Sequence, residues 1–260
     1  MRRLMQMVFQ ESYSSLNPRM PVEDSIAYGQ IVHGASNEAA KQAARALMEK
    51  VGLDPNLFGP RYPHELSGGQ KQRINIARAL VLEPRVVILD EAVSALDKSV
   101  EAQVLNLLRY LKDVFNLTYV FISHDLNVVQ YVSDRVLVMY LGEVVEIGPV
   151  DKIYANPKHP YTAALLASRL SMNPDDRVNE PPLIGDPPNP INPPSGCRFR
   201  TRCEFAEKIC EIGTPALPQD VGPMGHACAC HMFVAKSGHS KSIMHAAENV
   251  SPSSPAESPS

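Results

Sequence analysis

Leu66-Ser67-Gly68-Gly69-Gln70-Lys71-Gln72-Arg73, with Ala77-Arg78-Ala79-Leu80 and then Arg85-Val86-Val87-Ile88-Leu89-Asp90-Glu91 behind it, is the stretch that decides the fold. Ser67 stands where a helix N-cap is expected. From Gln70 to Leu82, Ile74, Ala77 and Leu80 or Val81 share one stripe, so a helix starts at the glycines. Consecutive glycines let a backbone come close to a phosphate, and a helix beginning there turns unpaired N–H groups and the positive end of its dipole toward that anion. Val86-Val87-Ile88-Leu89 is continuously apolar and rich in β-branched side chains, which predicts a parallel strand buried on both faces. Asp90 and Glu91 fall at the end of that strand.

Working outward, residues 98–115 read as a helix with Val100, Val104, Leu107, Leu108 and Leu111 inward, and residues 117–122 as a second buried strand. Strand and helix in alternation argue for an α/β layer. Upstream, residues 5–10 read as a short strand and 12–19 as loop. Residues 22–51 have helical spacing with Ala43, Leu47 and Val51 on one face, giving a helical subdomain over about 22–82. Downstream, 135–140 and 143–147 read as strands joined at Leu141-Gly142, and 161–170 as a short helix. Prolines then recur without periodicity, so 171–194 is read as an extended linker. A cysteine-rich domain is expected over 195–233, and the Ser, His and Pro content of 234–260 predicts a disordered tail.

The chain has 260 residues, of which 44% are hydrophobic, enough for one substantial core and an appended small domain. With 25 basic and 28 acidic residues, well mixed and summing to a net charge of -3, it offers no electrostatic footprint for nucleic acid or an anionic lipid surface. No apolar stretch approaches the roughly 20 residues needed to cross a bilayer, and polar residues interrupt Met1-Arg2-Arg3-Leu4-Met5-Gln6 too soon for a signal peptide. A cytoplasmic chain without direct membrane insertion is the expectation. In a reducing compartment, the confinement of all five cysteines to positions 197–230 argues for a local ligand set rather than a disulfide framework.

Leu66-Ser67-Gly68-Gly69-Gln70 resembles the signature run of ABC-transporter ATPases, and Val86 to Glu91 resembles their Walker B strand. Ser94-Ala95-Leu96-Asp97 is similar to the D-loop, Ser123-His124-Asp125 to the switch-histidine segment, and Gln10 to the Q-loop glutamine. The loop Ser15-Leu16-Asn17-Pro18-Arg19, the segment Lys158-His159-Pro160-Tyr161-Thr162 and the cysteine region are similar to those of oligopeptide and dipeptide importers. The implied fold is α/β: an incomplete ABC-type P-loop ATPase domain over 1–170, with a parallel sheet and a helical subdomain, plus the small C-terminal Cys-rich domain. The resemblance implies that Asp90 holds Mg²⁺ through water, Glu91 polarises the attacking water, His124 contacts the γ-phosphate of ATP and Gln10 senses the metal. It also implies that the signature run presses on a γ-phosphate held by the opposite subunit. The partners implied are a second ABC ATPase, two transmembrane permeases and an extracytoplasmic peptide-binding protein, with this chain peripheral on the cytoplasmic face of the inner membrane. Ala92 departs from the usual Pro, and Glu11-Ser12 from the usual Asp-Pro or Asn-Pro, neither removing a chemical group the mechanism needs.

The larger departure is that no Gly is followed by Lys, so the phosphate loop G-x-x-x-x-G-K-[ST] is not in this sequence. Three expectations follow: a subunit that completes a partner's site, a truncated remnant that does not bind ATP, or a non-hydrolysing interaction or redox-sensing module docked on a permease. Cys197, Cys203, Cys210 and Cys230, with Cys228 as a fifth candidate, are irregularly spaced, which fits either a structural zinc or an iron–sulfur cluster. The resemblance favours Cys230 as the fourth ligand, through His226-x-x-x-Cys230-His231, and implies a four-iron cluster.

Overall fold

A computed structural model describes residues 3–10, 15–168, 185–186, 188–218 and 221–242. The Glu11-Ser12 departure, most of the expected linker and residues 243–260 of the expected tail lie outside the described residues. The chain forms two compact units, Met1–Val132 and Ser133–Ser260.

The first unit begins with strand β1 (Met5–Val8), followed by helices α1 (Val22–Val32), α2 (Asn37–Lys50) and α3 (Pro55–Phe58). The single helical stretch read over 22–51 is broken after Val32, because Gly34 takes a left-handed φ of 94° and Ser36 caps a new helix by accepting from the Ala39 N–H at 3.2 Å. The buried stripe of α2 is Ala40, Ala44, Leu47 and Met48, continued by Val51, with Ala43 at its margin. Helix α4 (Gly68–Leu80) starts where the sequence places it. Ser67 Oγ accepts from the Gln70 N–H at 3.3 Å while Gln70 Oε1 accepts from the Ser67 N–H at 2.9 Å, a reciprocal cap. Strand β2 (Val86–Asp90), helix α5 (Lys98–Phe115), strand β3 (Thr118–Ile122) and helix α6 (Leu126–Val132) complete the unit. Helix α5 buries Val104, Leu105, Leu108 and Leu111 and stops at Asn116, whose φ is 49°.

The three strands are parallel in the order β1-β2-β3, with Met7, Ile88 and Val120 in register. Val8, Val87 and Leu89 point to the buried face, and each fully buried side chain of this size contributes about 1.5–3 kcal/mol. The opposite face corrects the expectation that β2 is buried on both sides. Val86 and Ile88 are only partly covered, and on the same face Met5 is 47%, Val120 46% and Ile122 47% exposed. An unbroken apolar strand records what both faces could bury. Among the described residues, one of them stays open.

The second unit pairs β4 (Arg135–Tyr140) with β5 (Glu143–Pro149) in an antiparallel hairpin that turns at Leu141 and Gly142, both at positive φ. Helices α7 (Val150–Ala155), α8 (Pro160–Ala167) and α9 (Ile209–Ile212) and the short strand β6 (Ala227–Cys228) follow. Strand β6 pairs antiparallel with β5, placing Cys228 opposite Glu146. The cysteine region therefore shares a sheet and a unit with the hairpin. Tyr140, Tyr161 and Phe199 form the aromatic core, with ring centroids 4.6–5.5 Å apart.

Glu146, at 0% exposure, anchors this unit. Its carboxylate accepts from the Lys158 N–H at 2.8 Å and the His159 N–H at 2.9 Å, and pairs with His226 Nε2 at 2.6 Å. The backbone entering α8 and the segment leading to β6 are thus tied to one buried charge.

Candidate functional site

Glu91 follows the last residue of β2 and has a φ of 44°, a conformation that costs an L-residue about 1–2 kcal/mol. Its backbone is held in place. The Glu91 N–H donates to the Ile122 carbonyl at 3.0 Å, and the Ser94 N–H and hydroxyl donate to the Glu91 carbonyl at 3.1 and 2.9 Å. The side chain is then gripped from two sides. Gln10 Nε2 donates to Oε2 at 2.9 Å, and His124 Nδ1 lies 3.1 Å from Oε1. Gln10 follows β1 and His124 follows β3, so the parallel register that aligns β1, β2 and β3 brings all three side chains to the carboxyl ends of the strands. Asp90, at the end of β2, is half-buried beside them. This arrangement has an exposed imidazole and amide flanking one carboxylate, a geometry suited to orienting a water molecule.

The signature run forms a second group. Leu66 is buried, Ser67 and Gly68 are exposed, and Gly69 is buried against Val100 of α5. Gly68 faces Leu96 of the D-loop. Asp97, the last D-loop residue, caps α5 by accepting from the Val100 N–H at 3.1 Å and the Ser99 hydroxyl at 2.8 Å, and these bonds pull its carboxyl below the usual range. No hydrogen bond links Leu66–Gln70 to Gln10, Glu91 or His124 among the described residues. The structure therefore gathers the candidate residues into a carboxylate group and a signature–D-loop group.

Two contributors escaped sequence reasoning. Lys98 Nζ bridges Asp125 at 2.9 Å and Glu101 at 3.0 Å, tying the start of α5 to the residue after His124. Arg78 donates to the Ser15 carbonyl while Ser15 Oγ donates to Asn75 Oδ1 at 3.0 Å, so α4 holds the far side of the loop that follows Gln10. Arg78 was visible in the quoted motif, but its partner lies 63 positions away and nothing local announces it.

In the second unit Cys197, Cys203, Cys210 and Cys230 line one cavity of about 20 Å³, together with His159, His231, His239 and Phe199. Burial pushes the Cys203 thiol up to about 11 and Cys230 to about 12, with their neighbouring thiols adding to the rise. Cys228 is also pushed to about 12 by burial, but it does not line the cavity. Four convergent thiols are suitable donors for a soft metal. Their spacing is not: among the described residues no group of three or more His, Cys, Asp or Glu side chains is placed to hold a metal ion, and the cavity has room for about one water. The expected iron–sulfur cluster or zinc therefore has its donor types here but not its geometry.

Comparison with known proteins matches residues 1–94 to the ABC transporter family and residues 145–210 to the oligopeptide/dipeptide transporter C-terminal region. A peptide import ATP-binding protein of Brucella ovis is 50% identical over 230 residues, covering 88% of this chain and 72% of that protein. The chain belongs to the ATP-binding proteins of ABC peptide transporters. The oligopeptide transport ATP-binding protein OppF of Salmonella typhimurium is 51% identical over 86% of this chain and 67% of its own length. The di/tripeptide transport ATP-binding protein DppF of Pseudomonas aeruginosa is 48% identical over 84% of this chain and 67% of its own. Membership implies ATP and Mg²⁺ as ligands of the family's ATPase domain. No helix among the described residues is long and apolar enough to cross a membrane.

Proposed function

We propose that this chain is an energy-coupling subunit of a peptide importer and that it lends Leu66-Ser67-Gly68-Gly69-Gln70 to ATP held by a second ATPase subunit. The observation that carries the proposal is the start of α4. Its first turn is capped by Ser67, Gly68 lies exposed beside it, and the helix is 13 residues long, so its N–H groups and dipole form a site for an anion. In the carboxylate group Glu91 polarises the attacking water, Gln10 and His124 orient Glu91 and reach toward the nucleotide, and Asp90 is the residue to hold Mg²⁺. Ser94 and Asp97 brace the D-loop between the two groups. Two permeases and an extracytoplasmic peptide-binding protein complete the assembly, with this chain peripheral at the cytoplasmic face of the inner membrane.

No phosphate loop lies within these 260 residues. The signature contribution is accordingly the role that the residues present can perform unaided. ATP binding and hydrolysis by the full chain, alone and mixed with a candidate partner ATPase, test this reading. No binding alone with turnover restored in the mixture is expected, and a partner whose turnover is indifferent to this chain refutes it.

A metal on Cys197, Cys203, Cys210 and Cys230 is supported by their donor type and shared cavity alone, since their spacing as folded here does not form a ligand set. Iron and zinc counted per chain in the purified protein decide it, and a folded chain free of both overturns it.

A further inference from the structure

Residues 237–242, which the sequence assigns to a featureless tail, fold back toward the four-thiol cavity. Lys236 and Gly238 take positive φ values of 56° and 89° and reverse the chain. Ser237 Oγ donates to the His231 carbonyl at 2.7 Å and accepts from the His239 N–H at 3.3 Å. Ser240 then reaches Glu207, donating its N–H to Oε2 at 3.1 Å and its hydroxyl to Oε1. Lys241 Nζ sits 3.9 Å from the centroid of the Phe205 ring.

His239 is the centre of this turn. It is 2% exposed and lines the same cavity as Cys197, Cys203, Cys210 and Cys230. Its Nδ1 accepts from the Lys241 N–H at 3.1 Å, which leaves Nε2 to carry the proton and donate to the Phe205 carbonyl at 2.9 Å. The imidazole is therefore held at both nitrogens, with Glu207 Oε1 also 3.5 Å from Nδ1, and is wedged between the cavity and the 205–207 backbone.

We propose that Ser237 to Ser242 is a strap that governs solvent access to the four thiols, with His239 as its plug. Its anchors are of the kind that open first. One half-buried carboxylate, one ring contact and a few hydrogen bonds hold it, and the side chains it buries, His239 and Ser242, are polar, so with little apolar burial it sits at the low end of local stability. The strap needs neither ATP nor a partner ATPase, and it concerns access to the cavity whether or not a metal is loaded there.

Site-resolved alkylation by iodoacetamide, read by mass spectrometry on the full chain as purified and again after chelator treatment, tests the strap. His239→Ala removes the plug, while Glu207→Ala removes the carboxylate that holds Ser240 and leaves the cavity lining intact. Both variants are expected to raise the rates at Cys197, Cys203 and Cys230 by about tenfold over wild type. Cys228 is buried in the same unit but does not line the cavity, so its rate should not move. Unchanged cavity-thiol rates in both variants overturn the proposal. So does a rise shared equally by Cys228 in both, because that reports loosening of the whole unit.

Discussion

Replacing each signature glycine by alanine separates what the fold needs from what the ligand needs. A Cβ on Gly69 would stand 2.5 Å from Val100 Cγ1, whereas a Cβ on Gly68 meets nothing closer than Leu96 Cδ2 at 3.6 Å. Carbon atoms pack best at about 3.5–4.0 Å, so Gly69→Ala obliges α4 and α5 to part by about 1 Å or Val100 to leave its rotamer, which a β-branched side chain in a helix resists. Overpacking of this kind costs about 1–3 kcal/mol. Both substitutions gain helix propensity, at most about 1 kcal/mol and less in a first turn, and because that gain is common to the pair, their difference isolates the clash. Gly69→Ala should therefore be less stable than Gly68→Ala by about 1–3 kcal/mol. Adding Val100→Ala to Gly69→Ala should recover part of the loss. The chain has two units and no Trp, so native-state hydrogen exchange on the amides of α4 and α5 is a better assay than a global melt. Gly68→Ala and Gly69→Ala falling within about 0.5 kcal/mol of each other would refute the packing account.

Ser67→Ala should weaken the first turn of α4 by about 1 kcal/mol, and Ser67→Asp should restore the cap while placing a negative charge where a phosphate is proposed to sit; recovered exchange protection with full stimulation of a partner ATPase would show that no anion binds there. In an assembled importer in which a phosphate loop is supplied ahead of these residues, Glu91→Gln should leave ATP binding intact and cut hydrolysis at the completed site by about 10²–10⁴-fold, so normal turnover at that site would remove Glu91 from the mechanism. Glu146→Ala strands the Lys158 and His159 N–H groups and His226 without their acceptor, and should lower the protection of β5 and β6 by about 3–5 kcal/mol; a loss under about 1 kcal/mol would mean that the buried carboxylate is dispensable. Burial lowers the His159 pKa to about 4, below the 6.5 of the unfolded chain, so the unfolded state binds the extra proton first. The second unit should be unaffected by His159 above pH 6.5 and lose about 3 kcal/mol between there and pH 4. A His159→Gln variant with the same pH slope would place that acid sensitivity elsewhere.

The parts of this molecule legible in its sequence are those set by short-range chemistry. Ser67 and Gln70 announce the cap of α4 because a reciprocal cap needs only two residues three apart, and the helix begins at Gly68 as that pair requires. Helix α5 is readable from its stripe, and the turn at Leu141-Gly142 from its glycine. The grip of Gln10 and His124 on Glu91 joins residues 81 and 33 positions apart, and it was reachable only through the family resemblance. Lys98 with Asp125, Arg78 with Ser15, and Glu146 with His226 are equally distant pairings with no local pattern, and sequence reasoning missed all three.

Burial and order failed for a different reason. Val86-Val87-Ile88-Leu89 has the composition of a strand covered twice, yet only Val87 and Leu89 reach a closed face. Composition measures the free energy available from burial, whereas coverage depends on which elements arrive. The reverse error occurred at the carboxyl end. Serine, glycine and histidine around 237–242 lack the apolar content that ordinarily orders a segment, and the reading of a loose tail followed from that deficit. What orders this stretch is a set of polar partners already fixed by the rest of the unit: the Phe205 carbonyl, the Glu207 carboxylate and the His231 carbonyl. Those groups belong to the backbone turns and side chains of the rest of the unit, so each hydrogen bond the strap forms orders only the strap's own side of the pair. The same argument limits its strength. A segment held by borrowed polar partners and one buried ring releases more readily than one held by a core, which is the property expected of a cover over four thiols.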